Sequence, residues 1–148
     1  MKTLKRKTKR YTIKKLPTEL RDVKITCSSD SNKFIRQFYS EDIEVYESFF
    51  IVLLNRANST IGYAKISQGG VVGTVVDVKI IAKYVVDSLA SGVILAHNHP
   101  SGSLEPSKSD KDITKKITES LKVFETKVLD HIILAKDDYY SFADENLI

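Results

Sequence analysis

Six apolar residues, Phe49 to Leu54, follow one another without a polar interruption until the turn-like stretch Asn55 to Asn58 ends the run. A half-exposed strand alternates polar and apolar positions, so an unbroken run of this length reads as a central strand covered on both faces. Any fold that contains it needs a layer on each side. Val93 to Ala96 repeats the pattern and leads straight into His97, Asn98, His99, Pro100, Ser101 and Gly102, a loop rich in turn residues.

The segments between these runs supply the layers. Phe34, Ile35 and Phe38 stand at helical spacing within 29–39, and Ile80, Ile81, Tyr84, Val85 and Leu89 form one apolar stripe behind Asp77, a residue suited to cap a helix. Gly92 sits where that helix is expected to stop. A third helix is predicted from Ser107, with Ile113, Ile117, Leu121 and Phe124 on one face. Val23, Ile25 and Cys27 alternate as a short half-buried strand would, and Ile61 to Ser67 returns against the first apolar run as a hairpin arm. Val128 to Ala135 and Tyr139 to Phe142 read as the last two strands. Strands alternating with amphipathic helices predict an α/β fold, a mixed β-sheet flanked by helices on both sides. No repeat is visible. The 148 residues suit one domain, expected over residues 21–148, behind a flexible tail at residues 1–20.

Charge separates these two parts. Residues 1–16 carry Lys2, Lys5, Arg6, Lys7, Lys9, Arg10, Lys14 and Lys15 and no acid, a charge of +8; of 23 basic and 19 acidic residues, the remainder keeps 15 and 19, or −4. A run of like charges ordinarily stays unstructured and solubilising. Such an arm also neutralises phosphates by releasing counterions, which gives sequence-blind, salt-dependent affinity for nucleic acid. The intact chain is therefore expected to bind DNA without sequence preference, with binding that falls steeply as salt rises, and deletion of residues 1–16 is expected to remove most of it. Equal binding by the shortened chain would place the contact surface elsewhere. The single Cys27 excludes an internal disulfide and reads as a small buried hydrophobe, and no stretch approaches the roughly 18 apolar residues of a membrane span. The first residues lack the apolar core of a secretion signal, so a reducing, cytoplasmic setting is expected, with no membrane partner.

His97 and His99 lie two apart at the end of a strand, a spacing that projects both imidazoles to one face. Ser107 and Asp110 stand three apart at a helix start and share a face there. Taken alone, that pair fits a capping box, the imidazoles fit a solvated loop, and a carboxylate at a strand edge is ordinary. Together, two imidazoles and the Asp110 carboxylate, with water in a fourth position, describe a catalytic zinc site, one ion per chain. Such a site needs a base that is not itself a ligand. Glu47, at the start of the first apolar run, is the candidate; Glu44 and Glu41 are neighbours that the undetermined strand register leaves in play. Ser107 is the candidate donor to an oxyanion. His131, after Asp130 in an interior strand, reads as a hydrogen-bonded core histidine.

The order H-x-H, seven residues, S, two residues, D resembles the signature of the JAMM (JAB/MPN) metallopeptidases. HNHPSG, the preceding VILA and the later LDHIILA and YYSFAD resemble the RadC family in particular, over roughly residues 28–148. The resemblance implies a cytidine-deaminase-like α/β sandwich, zinc on His97, His99 and Asp110, Ser107 assisting the oxyanion and Glu47 as base. It implies hydrolysis of peptide or isopeptide bonds, with a protein or peptide substrate, and passes on a DNA-repair label. Longer members resemble this chain only in their C-terminal part, and their usual Pro-Arg-Glu helix start appears here as Val78, Lys79 and Ile80. Zinc deaminases use a C-x-x-C pair and an H-x-E motif that this chain lacks. HNH nucleases place their histidines in a hairpin-helix motif unlike the strand-loop-helix predicted here. The second expectation is a metal-bearing, DNA-associated accessory protein without peptidase turnover.

Overall fold

The computed structural model of the chain describes Thr8, Arg10, residues 15–70 and residues 74–148. Most of the basic arm therefore lies outside the described residues. Eight elements follow: α1 (Ser28–Ile35), β1 (Ser48–Leu54), β2 (Thr60–Gln68), α2 (Val78–Ser88), β3 (Gly92–Asn98), α3 (Lys108–Leu121), β4 (Lys127–Leu134) and β5 (Tyr139–Ser141), with short 3-10 turns at Arg36–Phe38, Glu41–Glu44 and Lys122–Phe124. The strands form one sheet in the order β2-β1-β3-β4-β5. β1 pairs antiparallel with β2 and β3, β4 runs parallel to β3, and β5 closes antiparallel on β4. A parallel pair needs a crossover, and α3 supplies it.

The unbroken apolar runs of β1 and β3 are explained by two cores. Phe49, Ile51, Leu53 and Leu95 pack with Ile81 and Val85 of α2 and Ile117 and Leu121 of α3. Phe50, Val52, Leu54, Ile94 and Ala96 pack on the other face with Phe34 and Ile35 of α1. Each Leu or Ile buried in either layer contributes on the order of 2 kcal/mol through apolar area removed from water. This is the predicted α/β arrangement, a mixed sheet with helices on both sides.

Several boundaries differ from the sequence expectation. Val23, Ile25 and Cys27 form no strand: a single bridge joins Lys24 to Ser59, and Cys27 is exposed rather than buried. The Asp30 carboxylate accepts from the Thr26 amide at 2.9 Å and its hydroxyl at 2.6 Å, which turns the chain into α1 before a second bridge can form. α1 itself stops at Ile35 and continues only as a 3-10 turn. Asp77 does cap α2, accepting from the Lys79 amide at 2.8 Å. That helix ends four residues before Gly92, with Leu89 in the left-handed region at φ 55°. Gly92 instead opens β3, where an added Cβ would lie 3.0 Å from Leu129 Cδ1, so the glycine serves close packing. Phe124 falls beyond α3 and is 46% exposed. Among the described residues no helix is long and apolar enough to cross a membrane.

Candidate metal centre

β3 carries alternate side chains to opposite faces, and in this strand Val93, Leu95 and His97 face α2 and α3. His97 pairs with Phe49 across β1 and its ring stacks on that phenyl at 5.9 Å. Backbone pairing runs one residue further than the strand, because the His99 amide donates to the Leu134 carbonyl at 2.9 Å. Beyond it the chain turns: Gly102, at φ 83°, donates its amide to the His99 carbonyl at 3.0 Å, a conformation that suits glycine. This turn brings the Ser103 carbonyl to 2.7 Å from His99 Nδ1. A carbonyl only accepts, so His99 Nδ1 carries the proton and its Nε2 faces inward.

Ser107 and Asp110 are joined in a capping box at the start of α3. The Ser107 amide donates to Asp110 Oδ2 at 2.7 Å, and the Asp110 amide donates to Ser107 Oγ at 3.0 Å. The capping box does not compete with the convergence of Asp110 on the histidines, because the same carboxylate serves both. Oδ1 lies 3.3 Å from His97 Nε2, and Oδ2 lies 3.4 Å from His99 Nε2. The two Nε2 atoms are 2.9 Å apart, and one ligand atom from each residue falls within a sphere where none is more than 4.8 Å from another. Tetrahedral zinc with bonds of roughly 2.0–2.1 Å spaces its ligand atoms about 3.3–3.4 Å apart. The donor set fits such an ion in chemistry, and the carboxylate–imidazole distances match that spacing while the two Nε2 atoms stand closer, at 2.9 Å. Burial alone raises the Asp110 pKa, but the neighbouring His97 and His99 rings and Ser107 outweigh it and hold it far below the usual carboxylate range. The same carboxylate raises the pKa of His99 against the effect of burial.

Glu47 and Ser107 line the same cavity as the three convergent groups, a space of about 600 Å³ whose apolar wall includes Phe49, Val75, Val76 and Ile113. Burial raises the pKa of Glu47, and the charges of His97 and His99 oppose that rise. The register left open by sequence is settled by position: Glu47 precedes β1, whereas Glu44 and Glu41 belong to a 3-10 turn and Glu44 pairs with Lys136 at 3.3 Å. A groove of about 660 Å³ lies at the other end of β3, beside Ser91 and Gly92, away from every histidine.

Two residues escape a sequence reading. Asn98, between the histidines, points to the opposite face and is fully buried. Its Oδ1 accepts from the Ser48 amide at 2.8 Å, and its Nδ2 donates to the Ile43 and Tyr46 carbonyls at 2.7 and 2.8 Å. It therefore ties the histidine strand to the segment that carries Glu47. Asn98→Ala is expected to destabilise the domain by on the order of 3 kcal/mol in chemical denaturation, because it strips buried amide and carbonyl groups of their partners. A loss under about 1 kcal/mol would show that these bonds are replaceable. The other is Thr114, buried on α3 against His131. His131 is the buried, hydrogen-bonded histidine that the sequence predicts, and its ring partners are Thr114 at 2.6 Å and His97 at 2.7 Å.

Fold and site together define an α/β domain with a His-His-Asp group, able to hold a metal ion, lining a cavity. The family model described as a RadC-like JAB domain matches residues 25–147. The chain is 43% identical over 124 residues to a UPF0758 protein of Flavobacterium johnsoniae, a match covering 84% of this chain and 53% of that protein. It is 37% identical over 129 residues to a UPF0758 protein of Coprothermobacter proteolyticus, covering 86% and 55%. A UPF0758 protein of Porphyromonas gingivalis is 40% identical over 103 residues, covering 69% and 45%. The chain belongs to the RadC family, and it spans about half the length of these curated relatives.

Proposed function

We propose that this domain is a zinc-dependent hydrolase of peptide or isopeptide bonds. The observation that carries the reading is the meeting of His97, His99 and Asp110 in one cavity with a carboxylate, Glu47, that is not among the three. His97, His99 and Asp110 would hold the zinc ion, which would supply a Lewis acid and a means of activating water near neutral pH. Glu47 accepts a proton from the attacking water and returns it to the departing amine, a role that burial favours by raising its pKa. The Ser107 hydroxyl accepts the Asp110 amide and keeps its own proton to donate toward an oxyanion in the cavity. Phe49, Val76 and Ile113 give the cavity an apolar wall against which a substrate side chain would rest.

The test is to incubate the zinc-loaded protein with a complex peptide mixture and read new termini by mass spectrometry. Cleavage no greater than that of a Glu47→Gln control would sink the proposal. A second reading, a metal-bearing accessory protein that associates with DNA without peptidase turnover, draws on the +8 charge of residues 1–16. The lone cysteine suits a reducing, cytoplasmic setting for either.

A further inference from the structure

The Thr114 hydroxyl stands one helical turn after Asp110 and has two neighbours. Its Oγ1 lies 2.6 Å from the Asp110 backbone carbonyl and 2.6 Å from His131 Nδ1. The carbonyl cannot donate, so the single hydroxyl proton goes to it. Thr114 Oγ1 must then accept, and the proton it accepts sits on His131 Nδ1. A neutral imidazole has one N–H, which leaves His131 Nε2 bare. That atom lies 2.7 Å from His97 Nδ1, which therefore donates to it. His97 in turn has its proton on Nδ1 and a lone pair on Nε2, the atom facing Asp110 and His99.

We propose that Thr114 and His131 are positioning residues that fix the tautomer and ring plane of His97, so that its Nε2 lone pair is presented to the metal. The inference rests on the metal-centre reading for its purpose, though not for its geometry. His131 is fully buried, stacked on Phe142 at 4.7 Å and edge-on to Phe49 at 5.5 Å, which holds its ring in place. The relay begins at the backbone of Asp110 and ends at the ring of His97, so α3 and β3 are locked together behind the two groups they present. Ligating histidines generally have the remote nitrogen engaged as a donor; here the acceptor is another histidine whose own state is set by a threonine.

Thr114→Val keeps the shape of the side chain and removes the hydroxyl. His131 Nδ1–H then has no acceptor; moving its proton to Nε2 would set it against His97 Nδ1 and drive the His97 proton onto the metal-facing atom. Two measurements test this. Nitrogen-15 NMR of the imidazoles in the metal-free protein, at about pH 9 where ordinary histidines are neutral, should find His131 and His97 both protonated on Nδ1. Competition with a chelator should find zinc affinity reduced on the order of 10- to 100-fold in Thr114→Val and retained in Thr114→Ser. Protonation of His131 on Nε2 in the unaltered protein would overturn the relay whether or not any variant folds. Unchanged zinc affinity in a folded Thr114→Val would overturn its role. Nδ1 tautomers in a protein that binds no zinc would support the relay while removing the metal reading.

Discussion

Glu47→Gln is expected to keep the fold and the metal and to lose hydrolysis by about 10²-fold or more, the usual contribution of a general base. The amide is close to isosteric with the carboxylate, and the backbone bond from the Gly69 amide to the Glu47 carbonyl at 2.9 Å does not depend on the side chain. Glu47 is also outside the convergent group of His97, His99 and Asp110, so its substitution leaves that donor set intact. What the amide cannot do is accept a proton from water. Metal content, thermal stability and peptide cleavage should be measured side by side. Loss of zinc would make Glu47 a ligand; full activity would assign the base elsewhere. Glu44 is then a poor substitute, since it is exposed and paired with Lys136.

His97→Ala combined with His99→Ala is expected to abolish zinc binding, from close to one ion per chain to none by elemental analysis of protein purified without a metal-affinity tag. Each imidazole has a fixed inward nitrogen, and a lone carboxylate does not hold zinc with comparable affinity. The unaltered protein should also gain stability from the metal. At free zinc about 100 times the dissociation constant the gain is about 2.7 kcal/mol, which for a domain of this size raises the melting temperature by roughly 5–10 °C. The double variant should show no such rise. Asp110→Asn should fall between, because it removes the anionic ligand while leaving both imidazoles. Full zinc occupancy in the double variant would refute the ligand assignment.

Much of this was legible in the residues because local chemistry and periodicity carry it. The unbroken run at Phe49 to Leu54 can be satisfied only by two covering layers, and α1 and the α2/α3 pair provide them. Two-residue spacing placed His97 and His99 on one face whatever the rest of the chain did, and Asp77 and Ser107 are helix caps that act within a few residues of themselves. The failures are of another kind. Val23 to Cys27 has the alternation of a strand, but alternation cannot reveal that Asp30 will turn the chain away from the sheet edge. Gly92 looks like a helix stop, yet it opens β3 at a point where Leu129 of the neighbouring strand packs close against it.

By itself, then, the sequence determined the layered α/β class, the helix caps and the set of groups able to hold a metal, all of which depend on spacings of a few residues. Tertiary structure alone decided which glutamate shares the cavity with those groups, since that depends on where β1 begins beside β3. It alone decided that Asn98 anchors the Glu47 segment across about 50 residues of chain, and that the partner of the buried His131 is His97. Hydrogen bonds between groups so distant in sequence leave no periodic trace. They exist only once the sheet has set its register and α3 has crossed over it.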